Sequence, residues 1–322
     1  MLNESSKASS SLNLRVGELV EVRSLPEILK TLSEDGTYER LPFMPEMVPF
    51  CGHQFRVFKR IHWMCVEGSP YRGMKDTVTF KNVSCSGEHH DDCKRSCPIF
   101  WKEAWLRRVQ ENEDRSEGRE TGSVSPVWIT RDEDSGKYFC QSTELESATY
   151  PIGIIGTLVA YVADIRSGNM SLVEMVKGFY ASFRRKISRH PEQGPCAIIK
   201  GGLTKTPEHS LGLKPGEVVR VKQLGAIEET LDSRGRNRGL TFPMEMPQYS
   251  GKTYVVKDVI DRMIDEQSGL MRNLRHSVLL EGLTCSGSCN RGCPRNADCD
   301  VWGDEVERHL CRGRRRRESN PH

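Results

Sequence analysis

An internal repeat constrains this chain most: residues 16–109 and 215–310 read as two diverged copies of one module. Gly17-Glu18-Leu19-Val20-Glu21-Val22-Arg23 lines up with Gly216-Glu217-Val218-Val219-Arg220-Val221-Lys222, and the same offset carries Leu41, Phe43, Glu46, Met47 and Gly52 onto Leu240, Phe242, Glu245, Met246 and Gly251. After a one-residue shift, Cys85-Ser86-Gly87 falls on Cys285-Ser286-Gly287. Both copies then show Cys-x-x-x-Cys-Pro, at Cys93–Pro98 and Cys289–Pro294, followed by a Trp and acidic residues. So many coincidences in nearly one register leave duplication as the economical reading.

Within each copy the residue types alternate with the period of a half-buried strand, at Leu19–Arg23, Phe55–Val57 and Val78–Phe80, and again at Val218–Val221, Thr253–Val256 and Ser277–Leu283. Ser24 with Glu27 three residues on forms a capping-box pattern that predicts a short helix after the first strand. Four or five short strands in under about 70 residues are too few for two full sheets, so the expectation is a mainly β (α+β) chain with two tandem small SH3-like β-barrels. The expected organisation is a disordered N-terminus over 1–15, a barrel module over 16–109, a polar loop and helical connector over 110–214, a second barrel over 215–310 and a basic tail over 311–322.

In the connector, the apolar run Ile152–Ala163 is too short for a bilayer span of roughly 20 residues, and predicts a buried helix. Ser171–Ile187 places Leu172, Met175, Val176, Phe179 and Phe183 at helical spacing, away from most of the cationic residues. It predicts an amphipathic helix packed on a barrel, with a membrane-surface role as the alternative. Met1–Leu14 has no apolar stretch of the secretory kind, so the expected compartment is the cytoplasm, with no membrane partner.

Twelve cysteines in a reducing compartment point to metal ligands rather than disulfides. The first cluster offers Cys85, His90 or its neighbour His89, Cys93 and Cys97, and the second Cys285, Cys289, Cys293 and Cys299, sets that suit tetrahedral zinc. An iron–sulfur cluster is the rival, since four thiolates hold one equally well. Cys140, in Cys140-Gln141-Ser142-Thr143-Glu144, is a candidate to complete the first site from outside the module; Cys51 is a further isolated thiol, two residues from His53. An apolar helix expected over Ile99–Val109 would lower the Cys97 thiol pKa at its N-terminus. The repeated acids Glu46 and Glu245 read as helix caps or arginine partners ahead of ligands. No phosphate loop, Ser-His-Asp set, His-Glu-x-x-His or dinucleotide fingerprint is present, and no catalytic residue is assigned.

By Phe43-Met44-Pro45-Glu46-Met47, Cys51-Gly52, Phe100–Leu106 and Cys140–Glu144, the chain resembles a family of uncharacterised bacterial proteins. The resemblance implies a bacterial origin and a neighbourhood of biosynthetic genes, and it carries no activity; the residues after Cys293-Pro294 depart from its aromatic pattern. The function expected from these readings is a zinc-stabilised tandem-barrel scaffold presenting its loops to a protein partner. The alternatives are a metal- or thiol-dependent accessory enzyme, or a nucleic-acid-binding protein helped by Arg312 and Arg314–Arg317. The net charge of +3 is too mild to argue for nucleic acid by itself.

Overall fold

The computed structural model describes residues 11–66, 69, 71–109, 128–177, 180, 199–204, 210–242, 246–283, 301–302 and 306–308. It divides into two compact units, the first made of Met1–Ala197, Asp261–Leu274 and Thr284–Cys299, the second of Ile198–Ile260, Arg275–Leu283 and Asp300–His322.

In the first unit, β1 (Leu19–Val22) buries Val20 and Val22 and leaves Leu19 and Glu21 half-buried, as its alternation dictates. The helix α1 (Leu25–Leu29) follows, and the Glu27 carboxylate accepts both the Ser24 N–H at 3.0 Å and the Ser24 hydroxyl at 2.6 Å. A short pair, β2 (Thr37–Tyr38) and β3 (Leu41–Pro42), leads to a 3-10 turn at Pro45–Phe50. The main sheet is completed by β4 (Gln54–Arg60), β7 (Thr77–Phe80), β8 (Trp101–Lys102) and β9 (Leu106–Arg108), in the antiparallel order β8-β7-β4-β1-β9. Its inner side carries an aromatic cluster in which Phe55 stacks on Phe80 at 4.8 Å and Phe80 on Trp101 at 5.5 Å, with Phe43 edge-on to Trp105.

The second unit repeats the strand order. Its elements are β11 (Val218–Val221), α5 (Leu224–Glu228), the pair β12 (Arg236–Asn237) and β13 (Leu240–Thr241), the parts of β14 (Thr253–Ile264) up to Ile260 and of β15 (Met271–Leu280) from Arg275, β16 (Val301–Trp302) and β17 (Val306–Arg308). The sheet order is β16-β15-β14-β11-β17. Pairing register repeats too: Val20 faces Phe55 as Val219 faces Tyr254, Val22 faces Leu106 as Val221 faces Val306, and Val78 faces Trp101 as Val278 faces Trp302.

The expected SH3-like barrels are not formed. Each five-stranded sheet is open, with β8 and β9, or β16 and β17, as edges that no ladder joins among the described residues. Closure needs strands long enough to pair on both sides while tilting around an axis. β8 has two residues and β9 three, and the 3-10 turn Glu103–Trp105 between them carries the chain from one edge to the other before a ladder can form. The predicted apolar helix over Ile99–Val109 is this same strand, 3-10 turn and strand. The tandem-barrel scaffold expected as the function falls with the barrels.

A three-stranded sheet, β10-β6-β5, joins β5 (Trp63–Met64) and β6 (Arg72–Gly73) to β10 (Tyr150–Pro151), which follows the single turn α2 (Leu145–Ala148). Helix α3 (Ile154–Ser167) comes next and ends on Gly168, whose φ of +82° is the left-handed conformation that glycine favours. Its inner face is anchored by Asp164, which accepts the Trp63 Nε1–H at 2.8 Å and the Asn169 amide at 2.6 Å. Burial holds the Asp164 carboxyl above its usual range against these two donors. The helix is where Ile152–Ala163 predicted one, but it is not buried: its outer face is open, and so is that of α4 (172–177). No helix among the described residues is long and apolar enough to cross a membrane.

Two buried polar groups tie the N-terminal residues to the sheet. Glu103 accepts the Leu14 N–H at 2.9 Å and the Arg60 guanidinium at 2.5 Å, and Arg60 also reaches Asp76 at 3.0 Å. Beside them His62, with Nε2 3.2 Å from the Ser167 hydroxyl, is pushed down to about 4 by burial and then by the Arg60 charge. Between about pH 4 and 6.5 the unfolded chain therefore binds a proton that the folded one does not, so stability is lost as pH falls through that window. With allowance for His62's partial exposure, the urea midpoint is expected to drop by the equivalent of about 1–2 kcal/mol from pH 7 to pH 5, and His62→Gln to remove that part of the drop.

A candidate metal centre in the first unit

The loop carrying the first cysteine cluster begins after β7 and closes on itself. Ser84 bridges Pro98, and the Cys85 N–H donates to the Cys97 carbonyl at 2.8 Å, so the two cysteines sit at the neck of the loop. Asp91, Asp92 and Ser96 inside it have positive φ, a density of left-handed residues that a chain accepts only in very tight turns. Gly87, at φ +74°, is required for a second reason: a Cβ there would lie 2.0 Å from the Cys93 carbonyl oxygen.

Three other segments converge on this loop. The turn Pro45–Phe50 brings Glu46, which accepts the His89 N–H at 3.2 Å and faces His90 Nδ1 at 2.6 Å. The segment after the Arg131–Tyr138 bridge brings Cys140. Gln141 holds it in place, because its side chain accepts the Phe100 N–H at 2.8 Å and donates back to the Phe100 carbonyl at 2.9 Å, as a neighbouring strand would. The third segment is the outer end of the β14–β15 hairpin, Asp261–Leu274, which belongs to the first unit. The Lys94 N–H donates to the Arg262 carbonyl, Arg95 bonds the Ile264 carbonyl and the Glu266 carboxylate at 3.0 Å each, and the Ile264 N–H points at the Cys93 sulfur at 3.3 Å.

Cys85, His90, Cys93, Cys97 and Cys140 line one cavity of about 20 Å³. That volume holds one water or one ion and excludes an organic substrate. One ligand atom each of Glu46 and of Cys85 and His90 from the lining lie within 4.8 Å of one another, a group able to coordinate a metal ion. The Glu46 carboxylate is buried, and its Oε2 has no hydrogen-bond partner, the kind of orphaned atom that a cation satisfies. Burial pushes the Glu46 carboxyl up, but the hydrogen bond and charge of His90, with N–H donors, outweigh it and leave it below the usual range.

All the described cysteines are free thiols. Burial raises the Cys85 thiol furthest, with Glu46, Cys97 and Cys140 adding to it; burial and then Cys97 raise Cys140 to about 12, and burial raises Cys93. Opposing these shifts are backbone N–H groups aimed at sulfur: Gly87 at Cys85, Arg95 and Ile264 at Cys93, and Ser142 and Thr143 at Cys140. A neutral thiol makes little use of such donors, whereas a thiolate on a metal does. Without a cation these sulfurs are protonated and poor nucleophiles.

Cys140 thus lines the same cavity as Cys85, Cys93 and Cys97, while Cys51 does not line it. The Cys51 thiol is pushed up to about 11 by burial, and His53 faces its own chain, Nδ1 lying 3.2 Å from the Cys51 carbonyl rather than at the sulfur. Cys285, Cys289, Cys293, Cys299 and Glu245 lie outside the described residues. Glu46 pairs with neither a helix N-terminus nor an arginine but with a histidine 44 residues away. Its repetition in both copies was the one signal for it; nothing in the sequence marked Gln141 or the hairpin end. Comparison of the chain with protein-family models, with curated proteins and with solved structures gives no match in any of the three.

Proposed function

We propose that this cavity is a closed zinc site in which Cys85, Cys93, Cys97 and Cys140 are the ligands, and that its function is to lock together the segments that meet there. The observation that carries the reading is a set of four thiols, Cys93 and Cys140 buried and Cys85 and Cys97 half-buried, three of them met by backbone N–H donors, around a space the size of one ion. Zinc tolerates this ligand set without a geometric demand of its own, and such sites contribute their binding free energy to folding.

His90 belongs to the wall of the site. Both of its ring nitrogens face oxygen atoms, Glu46 Oε1 at 2.6 Å and the Phe139 carbonyl at 3.3 Å. Arg95, which lines the same cavity, adds positive charge beside the thiolates. No three of the four sulfurs lie within 4.8 Å of one another, whereas one ligand atom each of Glu46, Cys85 and His90 do, which favours a second arrangement in which Glu46 and His90 join Cys85 on the ion.

Cobalt distinguishes the two. Full-length protein reconstituted with Co(II) is expected to show thiolate charge-transfer and visible ligand-field bands of a four-sulfur tetrahedral ion, reduced in Cys97→Ser and unchanged in His90→Gln. A spectrum altered by His90→Gln would transfer the imidazole into the ligand set, and bands indifferent to Cys97→Ser would remove the site.

A further inference from the structure

We propose that the outer face of α3 and α4 binds the surface of an anionic lipid bilayer. This inference rests on different residues from the metal site and stands or falls separately. Helix α3 has two faces of opposite fate. Ala160, Tyr161, Asp164 and Ser167 are buried against the core, whereas Ile154 and Ile155 are 84% and 78% exposed, and Leu158, Val159 and Val162 extend the same stripe in the open. Their spacing of one, three, one and three residues keeps all five on one side of a helix. In α4, Leu172, Val173 and Val176 are exposed too, as is Tyr180 beyond it. Large apolar side chains exposed in this number mark a contact face.

Charge says what the contact is. A depression of about 550 Å³ beside the stripe is walled by Leu158, Val159 and Val162 on one side and by Arg15, Arg60 and Arg166 on the other, and no acidic side chain lines it. Arg60 is held by Glu103 and Asp76, but Arg15 and Arg166 are exposed and have no ion pair among the described residues. The acid within α3, Asp164, is buried, and the one in α4, Glu174, is turned back onto the Ser171 N–H at 2.8 Å. In sequence, α4 is followed by Arg184, Arg185, Lys186 and Arg189.

Apolar side chains flanked by unpaired cations are what an interfacial helix presents to acyl chains and anionic headgroups. A second copy of the chain would oppose Arg15 and Arg166 with cations of its own. α3, at 14 residues, is too short to span a bilayer, so the helix lies in the interface.

The test is sedimentation of full-length protein with vesicles. Binding is expected to equimolar phosphatidylcholine–phosphatidylglycerol vesicles, with little to phosphatidylcholine alone, and salt should weaken it. Ile155→Glu combined with Leu158→Glu should abolish binding, and because both side chains point outward the circular dichroism spectrum should be unchanged. Arg15→Gln with Arg166→Gln should weaken binding roughly tenfold or more. Failure to sediment with anionic vesicles would overturn the proposal. So would a vesicle-indifferent dimer that the glutamate pair converts to monomer, because the face would then be covered by a second copy.

Discussion

Cys140→Ser is expected to release one equivalent of zinc and to lower the unfolding temperature of the first unit by roughly 10 °C. Cys140 is 43 residues beyond Cys97 in sequence, and the segment bearing it is held to the loop by Gln141 and by packing of Leu145 and Tyr138. Serine keeps the shape of the side chain and can keep the hydrogen bonds from Ser142 and Thr143, so a purely structural cysteine would be replaced at small cost. A ligand would not, because the hydroxyl is a poor donor to zinc at neutral pH and the ion's share of folding free energy is lost. A loss of about 3–5 kcal/mol corresponds to the stated shift for a unit of this size. Elemental analysis with calorimetry separates the cases. Retention of both zinc and the transition would show that Cys140 is an inert buried thiol.

Gly87→Ala should be nearly as damaging without touching a candidate ligand. The position has φ +74°, and a methyl there would stand 2.0 Å from the Cys93 carbonyl oxygen, a backbone atom that cannot swing away as a side chain can. Relief requires the turn carrying His90 and Cys93 to open, which breaks the His90 N–H bond to the Gly87 carbonyl and moves Cys93 from Cys85. The cost is on the order of 3 kcal/mol or more from backbone strain and clash together. Zinc affinity, measured by competition with a chromophoric chelator, should fall at least tenfold, while the far-ultraviolet spectrum changes little because the sheet lies outside the loop. An unchanged affinity would mean that the loop geometry is not set by the ion.

Strand placement was legible because it depends on local alternation. Val20 and Val22 had to face one way and Glu21 the other, and the same pattern recurred at Val219 and Val221. The Ser24–Glu27 cap was legible for a similar reason, since capping acts within a single turn. Closure was not legible. Whether five short strands form a barrel or an open sheet depends on the lengths of β8 and β9 and on the turn at Glu103–Trp105, and Ile99–Val109 read as a helix because apolar residues at that density fit either period. Helix α3 shows a related failure. The run Ile152–Ala163 was apolar enough to suggest burial, but only the residues on Asp164's side meet the core.

The metal centre divides along the same line. Cysteines at Cys85, Cys93 and Cys97 declared a thiol-rich loop by spacing alone. That Cys140 shares their cavity, that Glu46 holds His90, and that Ile264 seals the Cys93 sulfur from 171 residues away are facts of tertiary structure. The sequence by itself determined the repeat, the strands and the loop of thiols, because each follows from contacts within a few residues. Only the folded chain decided which buried groups face one another, because desolvation and hydrogen bonding act between atoms brought together by packing, whatever their separation along the chain.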